Sequence, residues 1–255
     1  MKRGTEPLRV LDLFSGIGGF SLGLERTGGF KTVAFCEIEE FPRRVLAKHW
    51  PNVPCFKDVR TLKGSDVEAI DVICGGFPCQ DISTAGAQRG MDGTRSGLWS
   101  EIARLVGEIR PHYVIVENVP NLLGGPSGEP GRWFGRVLGD LAALRYDAEW
   151  HCIPACYVGA WHRRDRVWLV AYPGSFGGQQ GIAKGPLLGQ RDLHEQPQRG
   201  FARWPGRSNL PKSRICGGND GVSKRLHAIG NAVVPQIPEI IGRAILAAES
   251  ERAAA

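Results

Sequence analysis

Apolar residues fall along this chain in two rhythms. Short, nearly continuous runs alternate with longer stretches in which they recur every three or four positions. The runs at 8–14, 32–36, 69–74, 113–116 and 167–171 are short and rich in β-branched residues, so they predict buried strands, with a further strand near 149–153. Helices are predicted from Phe20 with Leu22 and Leu24, over 41–49, 98–109 and 133–144, over 222–229, and over 235–248. In 98–109 the residues Ile102, Leu105, Val106 and Ile109 share one face. The helix over 235–248 reads as amphipathic and is expected to dock against the region of the first strand. Strands alternating with helices predict an α/β fold around a largely parallel sheet.

Three places along this pattern carry candidate chemistry. The first is the turn Ser15-Gly16-Ile17-Gly18-Gly19, between a strand and a helix, where glycines let backbone approach a ligand closely. About 20 residues further on, Glu37 ends the second strand, the place where an acid accepts hydrogen bonds from ribose hydroxyls. The second is Gly75-Gly76-Phe77-Pro78-Cys79-Gln80, which closes the run at 69–74. Pro78 fixes φ and cannot continue a ladder, so Cys79 falls just past a strand's carboxyl end. A thiol on a rigid turn there is a candidate nucleophile; the other reading is a buried structural cysteine. The third is Glu117, at the end of the strand over 113–116, with the cluster Arg163-Arg164-Asp165-Arg166 ahead of the last strand. Glu117 could share a proton with a substrate or merely cap a helix. The arginines could bind a base carbonyl and phosphates or merely form surface ion pairs. Between Asp81 and Trp99 runs a long polar, glycine-bearing loop, a length that in a folded domain marks function or mobility.

Composition narrows the class. A chain of 255 residues, 42% hydrophobic and 23% charged, has enough apolar residues for one large domain with a core of its own. No apolar run approaches the length of a membrane span, and the start Met1-Lys2-Arg3-Gly4 is not a signal core, so no membrane association is expected. Seven cysteines without a Cys-x-x-Cys pair argue for reduced thiols in the cytoplasm and against a zinc site or a disulfide framework. All of the net charge of +6 comes from residues 160–214, where 10 Lys and Arg stand against 3 Asp and Glu. Interleaved with Trp161, Trp168, Phe176, Phe201 and Trp204, this block favours a polyanion-binding surface.

Five segments together resemble the DNA (cytosine-5)-methyltransferase family, as a short prokaryotic or phage-type member. They are Asp12-Leu13-Phe14-Ser15-Gly16-Ile17-Gly18-Gly19-Phe20, Gly76-Phe77-Pro78-Cys79-Gln80, Glu117-Asn118-Val119, Arg163-Arg164-Asp165-Arg166 and Gly230-Asn231-Ala232-Val233-Val234-Pro235, and they fall in the family's order. The resemblance covers roughly residues 8–172 and 214–245. It implies a doubly wound, Rossmann-like S-adenosylmethionine-dependent methyltransferase sheet with a small, loop-rich recognition module. The catalytic domain would take residues 1–172 and 214–255, and a short target-recognition region residues 173–213.

The family's chemistry implies that Cys79 adds to C6 of a flipped-out cytosine in DNA while Glu117, Arg164 and Arg166 attend the ring. It further implies that Phe14, Gly16, Gly18, Gly19, Glu37, Ile38, Asp58, Val59, Pro78, Leu98 and Asn231 hold S-adenosylmethionine, leaving S-adenosylhomocysteine as product. Glu37 would take the ribose, Ile38 would pack on the adenine, and Asp58 would accept from its amino group. Ser83, Arg89, Arg95 and Arg163 would contact DNA, and the loop over 81–99 would close on it. The family's usual Gln at the head of the arginine motif is replaced here by His162. Double-stranded DNA is the implied partner, with a cognate restriction endonuclease a further candidate. A monomer, cytoplasmic and nucleoid-associated through DNA, is expected. Two other readings stand beside this one: a tRNA cytosine-5 methyltransferase of the same fold, and a non-catalytic DNA-binding relative.

Overall fold

A computed structural model gives the fold; it describes residues 6–77, 97–124, 131–160, 162–174 and 230–254. Seven strands form one sheet: β1 (Leu8–Leu13), β2 (Phe30–Cys36), β3 (Cys55–Phe56), β4 (Val72–Gly75), β5 (Tyr113–Asn118), β6 (Tyr146–Pro154) and β7 (Asp165–Pro173). Their order across the sheet is β3-β2-β1-β4-β5-β7-β6. The first five are parallel, whereas β7 runs antiparallel between β5 and β6. The helices are α1 (Gly19–Glu25), α2 (Glu40–His49), α3 (Leu98–Ile109), α4 (Arg132–Ala143) and α5 (Gln236–Ala254).

The central strands are apolar without alternation because both sheet faces are covered. Leu11, Leu13, Ile73, Val114 and Val116 point to one face, where Trp99, Ile102, Leu105 and Val106 of α3 and Val137 and Leu141 of α4 pack on them. Val10, Val72, Cys74, Tyr113, Ile115 and Trp168 point to the other, under Phe20 and Leu24 of α1 and Ile237, Ile241 and Ile245 of α5. The face of α3 that its sequence predicts is therefore the one that is buried. Helix α5 docks as expected, over α1 and the starts of β1 and β2. Gly242 lets it approach closely, since a β-carbon there would stand 3.1 Å from both Phe30 and Thr27.

Several boundaries differ from the sequence expectation. Strand β1 stops at Leu13, because Phe14 turns into the left-handed region at φ 52°. Strand β4 begins at Val72 rather than Ala69. Asp71 is tied up ahead of it: its carboxylate accepts from the backbone and Nε of Arg9, and its carbonyl accepts from the amides of His112 and Tyr113. One residue thus aligns the starts of β1, β4 and β5. The predicted helix over 222–229 and nearly all of the recognition region at 173–213 lie outside the described residues.

In this order the chain winds one way from β1 to β2 and the other way from β4 to β5. The switch lies between β1 and β4, and open α/β sheets bind ligands in the crevice at that point. Two of the three predicted chemical segments, the glycine turn and the approach to Cys79, leave the sheet there. Because β7 is antiparallel, its beginning reaches the same edge and brings the arginine cluster beside the end of β5.

Candidate active site

At the end of β5, Glu117 lies on the same face as Arg166, one step along β7. Arg166 Nε sits 2.9 Å from Glu117 Oε1, and both side chains are largely buried. Burial pushes the Glu117 carboxyl above its ordinary range, while the guanidinium groups of Arg166 and Arg164 pull the other way. The net shift is upward, so this carboxyl holds a proton more readily than a free glutamate. Gly75, which ends β4, and Gly76 just after it make room for it. A β-carbon on Gly75 would stand 2.6 Å from the Leu13 carbonyl oxygen, and one on Gly76 would stand 2.9 Å from Glu117 Oε2. Glycine at both positions lets β4 pass between the end of β1 and this acid.

The next residue, Phe77, is fixed on two sides. Asn118 Nδ2 donates to its carbonyl at 3.1 Å, and its ring packs on Trp99 at a centroid distance of 5.6 Å. Trp99 is itself held by its indole N–H, which donates to Asp140 Oδ2 at 2.8 Å. The chain is thus anchored two residues short of Cys79. Pro78 and Cys79 lie outside the described residues, as do Ser83, Arg89 and Arg95. Asn118 was recognisable only as a motif neighbour of Glu117; its anchoring role depends on a partner 41 residues away.

The remaining arginines divide. Arg163 is exposed and pairs with Asp165 at 3.0 Å. Arg164 is half-buried and donates through Nη1 to the carbonyl of Gly230. His162 is half-buried at the head of this segment.

On the other side of the switch point, Phe14, Gly16 and Gly18 all have positive φ, at 52°, 52° and 86°. This geometry turns the chain sharply from β1 into α1. The turn is tied to β2 through Glu37, whose Oε2 accepts from the Gly16 amide and whose Oε1 accepts from the Glu39 amide, each at 2.7 Å. Burial raises the Glu37 carboxyl's pKa against the pull of these two amides. Glu37 is therefore first a tether for the glycine turn, and a ribose would use its remaining lone pairs. A β-carbon on Gly16 would meet none of the described atoms within 4 Å, so the turn leaves room for a ligand. Beside it Ile38 is 62% exposed, an uncovered apolar surface next to a buried acid. An open glycine turn, a buried acid and an uncovered apolar side chain suit a nucleoside with a charged tail.

Other expected cofactor residues stand less openly. Asp58 is gripped by Arg60, whose Nε and Nη2 lie 2.9 and 2.7 Å from its two oxygens, and this pairing lowers its pKa. Val59 is buried in the core, and Leu98 packs half-buried against that same core at the start of α3. Gly18 and Gly19 are packing glycines as well. β-Carbons there would stand 2.6 Å from the Trp50 ring and from the Val233 carbonyl, respectively. The second of these contacts brings the segment that starts at Gly230-Asn231 directly onto α1. Asn231 is exposed near the start of that segment.

Asp12 was not among the expected site residues. It is fully buried under the glycine turn, its Oδ2 accepts from Ser21 Oγ at 2.7 Å, and Oδ1 has no nitrogen or oxygen partner among the described residues. An acid set between Leu11 and Leu13 in a buried strand was the available signal.

The sheet order, the switch-point crevice and the glycine turn define a Rossmann-like fold of the kind used by S-adenosylmethionine-dependent methyltransferases. The family model for C-5 cytosine-specific DNA methylase matches residues 8–185, and the chain belongs to that family. Among its relatives, the Type II methyltransferase M2.BsuMI of Bacillus subtilis is 36% identical over 168 residues, covering 64% of this chain and 42% of its own. M.Sau3AI of Staphylococcus aureus is 33% identical over 193 residues, covering 71% and 47%. A solved structure described as a candidate DNA modification methyltransferase from an E. coli prophage superposes with a TM-score of 0.55 at 28% identity, over 65% of this chain and 47% of that one. The chain spans less than half the length of each of these proteins.

Proposed function

We propose that this protein transfers a methyl group from S-adenosylmethionine to C5 of cytosine in double-stranded DNA. The observation that carries the reading is the buried Glu117–Arg166 pair at the sheet edge, against the anchored chain that runs from Gly76 and Phe77 into Cys79. C5 of cytosine is a weak nucleophile, so the ring must first be made electron-rich. The Cys79 thiolate adds to C6, forming the S–C6 bond, and the C5=C6 electron pair moves into the ring towards C5 and N3. Glu117, protonated, gives its proton to N3 and removes the charge that develops there. Arg166, with Arg164 beside it, holds O2. One donor placed in advance in this way is worth about 3–4 kcal/mol, or on the order of 10²–10³ in rate.

When bound, the cofactor supplies an electrophilic methyl group. Phe14, Gly16, Gly18, Gly19, Glu37, Ile38, Asp58, Val59, Pro78, Leu98 and Asn231 are the residues proposed to hold it. Once C5 is methylated, a base takes the C5 proton, the electron pair re-forms C5=C6, N3 returns its proton to Glu117, and Cys79 leaves as the thiolate. The target base must leave the duplex first, at a cost of a few kcal/mol. Contacts from Ser83, Arg89, Arg95, Arg163 and the basic segment to phosphates offset this cost and make binding salt-dependent. A cognate nuclease, a monomeric state and a cytoplasmic, nucleoid-associated location belong to the same proposal.

The test is tritium transfer from labelled S-adenosylmethionine to unmethylated plasmid DNA, with tRNA as competitor. Wild type should label DNA, tRNA should not compete, and Cys79→Ser should abolish labelling while retaining cofactor binding. Full activity in Cys79→Ser, or labelling confined to tRNA, would overturn the proposal.

A further inference from the structure

Arg164 is held in a way that contact with a base does not explain. Its φ is 33°, in the left-handed region that a β-carbon disfavours. Surrounding structure keeps it there: the Ala155 amide is shared by the carbonyls of Arg163 and Arg164, at 2.7 and 3.3 Å. Strain of this kind persists only where neighbouring contacts determine it, and it gathers at functional sites. The resulting course of the chain sends the guanidinium not to Glu117, whose Oε1 is paired with Arg166, but to the Gly230 carbonyl, 66 residues away in sequence. Three residues beyond Gly230, the Val233 carbonyl lies so close to Gly19 that no β-carbon would fit. Residues 230–235 are therefore gripped at one end by Arg164, from the edge that carries Glu117, and at the other by the helix that follows the glycine turn.

We propose that Arg164 is a positioning residue for the cofactor side of the site: it clasps residues 230–235 against the glycine turn, so that Asn231 is set from the base pocket. This rests on the reading above in one respect, that the crevice at the glycine turn takes S-adenosylmethionine. A guanidinium has five N–H donors, and the clasp leaves others free to face a substrate. Arrival of a base that draws on Arg164 would then change cofactor affinity, and the cofactor would change base affinity by the same factor.

Two readouts test the clasp on the full chain without DNA. Backbone amide exchange over residues 231–234 should speed up in Arg164→Ala, and titration with S-adenosylhomocysteine should show an affinity about 10-fold weaker. Arg164→Lys, which keeps a shorter donor, should recover part of both. Faster exchange with unchanged affinity would overturn the cofactor role, and no change in either would overturn the clasp. If wild type does not bind S-adenosylhomocysteine, the assignment of the methyl donor falls, while the exchange measurement still judges the clasp. Should Arg164→Ala not fold, Arg164→Lys alone decides by the same two measurements: wild-type exchange and affinity in a variant whose reach is shorter overturn the proposal.

Discussion

Replacing Asp12 by Asn isolates the energetic cost of the acid beneath the glycine turn. Asp12 is fully buried, and burial pushes its carboxyl from 3.8 up to about 7, with Glu37 nearby adding to the rise and the Ser21 hydrogen bonds opposing it. A folded-state pKa above the unfolded value means that the folded chain keeps the proton longer. As pH rises from about 4 to about 7 the unfolded chain has already released it, so stability falls across that window and levels off above it. Three pKa units correspond to about 4 kcal/mol in full, of which roughly 2–3 kcal/mol falls between pH 5 and 8. Asn has nearly the same shape, accepts from Ser21 Oγ and does not ionise. For a domain of this size each kcal/mol moves the melting temperature by about 2–4 °C. The melting temperature of Asp12→Asn relative to wild type should therefore climb by roughly 5–10 °C between pH 5 and 8. Thermal unfolding followed by circular dichroism at four or five pH values measures it. Parallel curves for the two proteins would show that Asp12 does not carry this buried proton.

Other expectations separate the roles of neighbouring residues. Gly75→Ala drives a β-carbon into the Leu13 backbone carbonyl, which cannot move without displacing β1, so it should lower the melting temperature sharply. Gly76→Ala is crowded by a Glu117 side-chain oxygen at 2.9 Å and meets the Glu117 backbone oxygen only at an ordinary contact of 3.4 Å, so it should leave folding nearly intact while displacing the acid; methyl transfer should fall on the order of 10²-fold. Equal losses of stability in the two variants would contradict this contrast. Tyr113→Phe removes the hydrogen bond from the Tyr113 hydroxyl to Glu249 Oε1 at 2.8 Å, which pins α5 to the sheet. It should cost about 1–2 kcal/mol in urea unfolding, and no loss would show that α5 is held by its apolar face alone.

Much of the fold could be read from local pattern, because each central element states its own period. The run at 8–13 puts apolar side chains on both faces, Leu8 and Val10 on one and Leu11 and Leu13 on the other, as a covered parallel strand must, and the spacing of Ile102, Leu105 and Val106 marks the buried face of α3. The ends were less legible. Strand β4 starts late because Arg9, 62 residues earlier, captures Asp71, and a local pattern cannot report a partner at that distance. The same holds at the site. Glu117 and the arginines could be picked out as residue types at a strand's end and start, but which arginine meets the acid depends on the β5–β7 register. The residue pattern marked Glu37 as an acid at the right place without showing that its carboxylate already holds the glycine turn. Asp58 likewise read as a free acceptor, whereas Arg60, two residues on, takes both its oxygens.

The central claim is that Cys79 joins covalently to the base it methylates. DNA carrying 5-fluorocytosine at target sites tests this directly, because fluorine at C5 cannot be removed as a proton and so blocks the release of sulfur. With S-adenosylmethionine present, the protein should form a complex that survives denaturant, and peptide mapping should find the modified nucleotide on Cys79. Methyl transfer to ordinary DNA without such a complex, or an adduct on a different residue, would contradict the account.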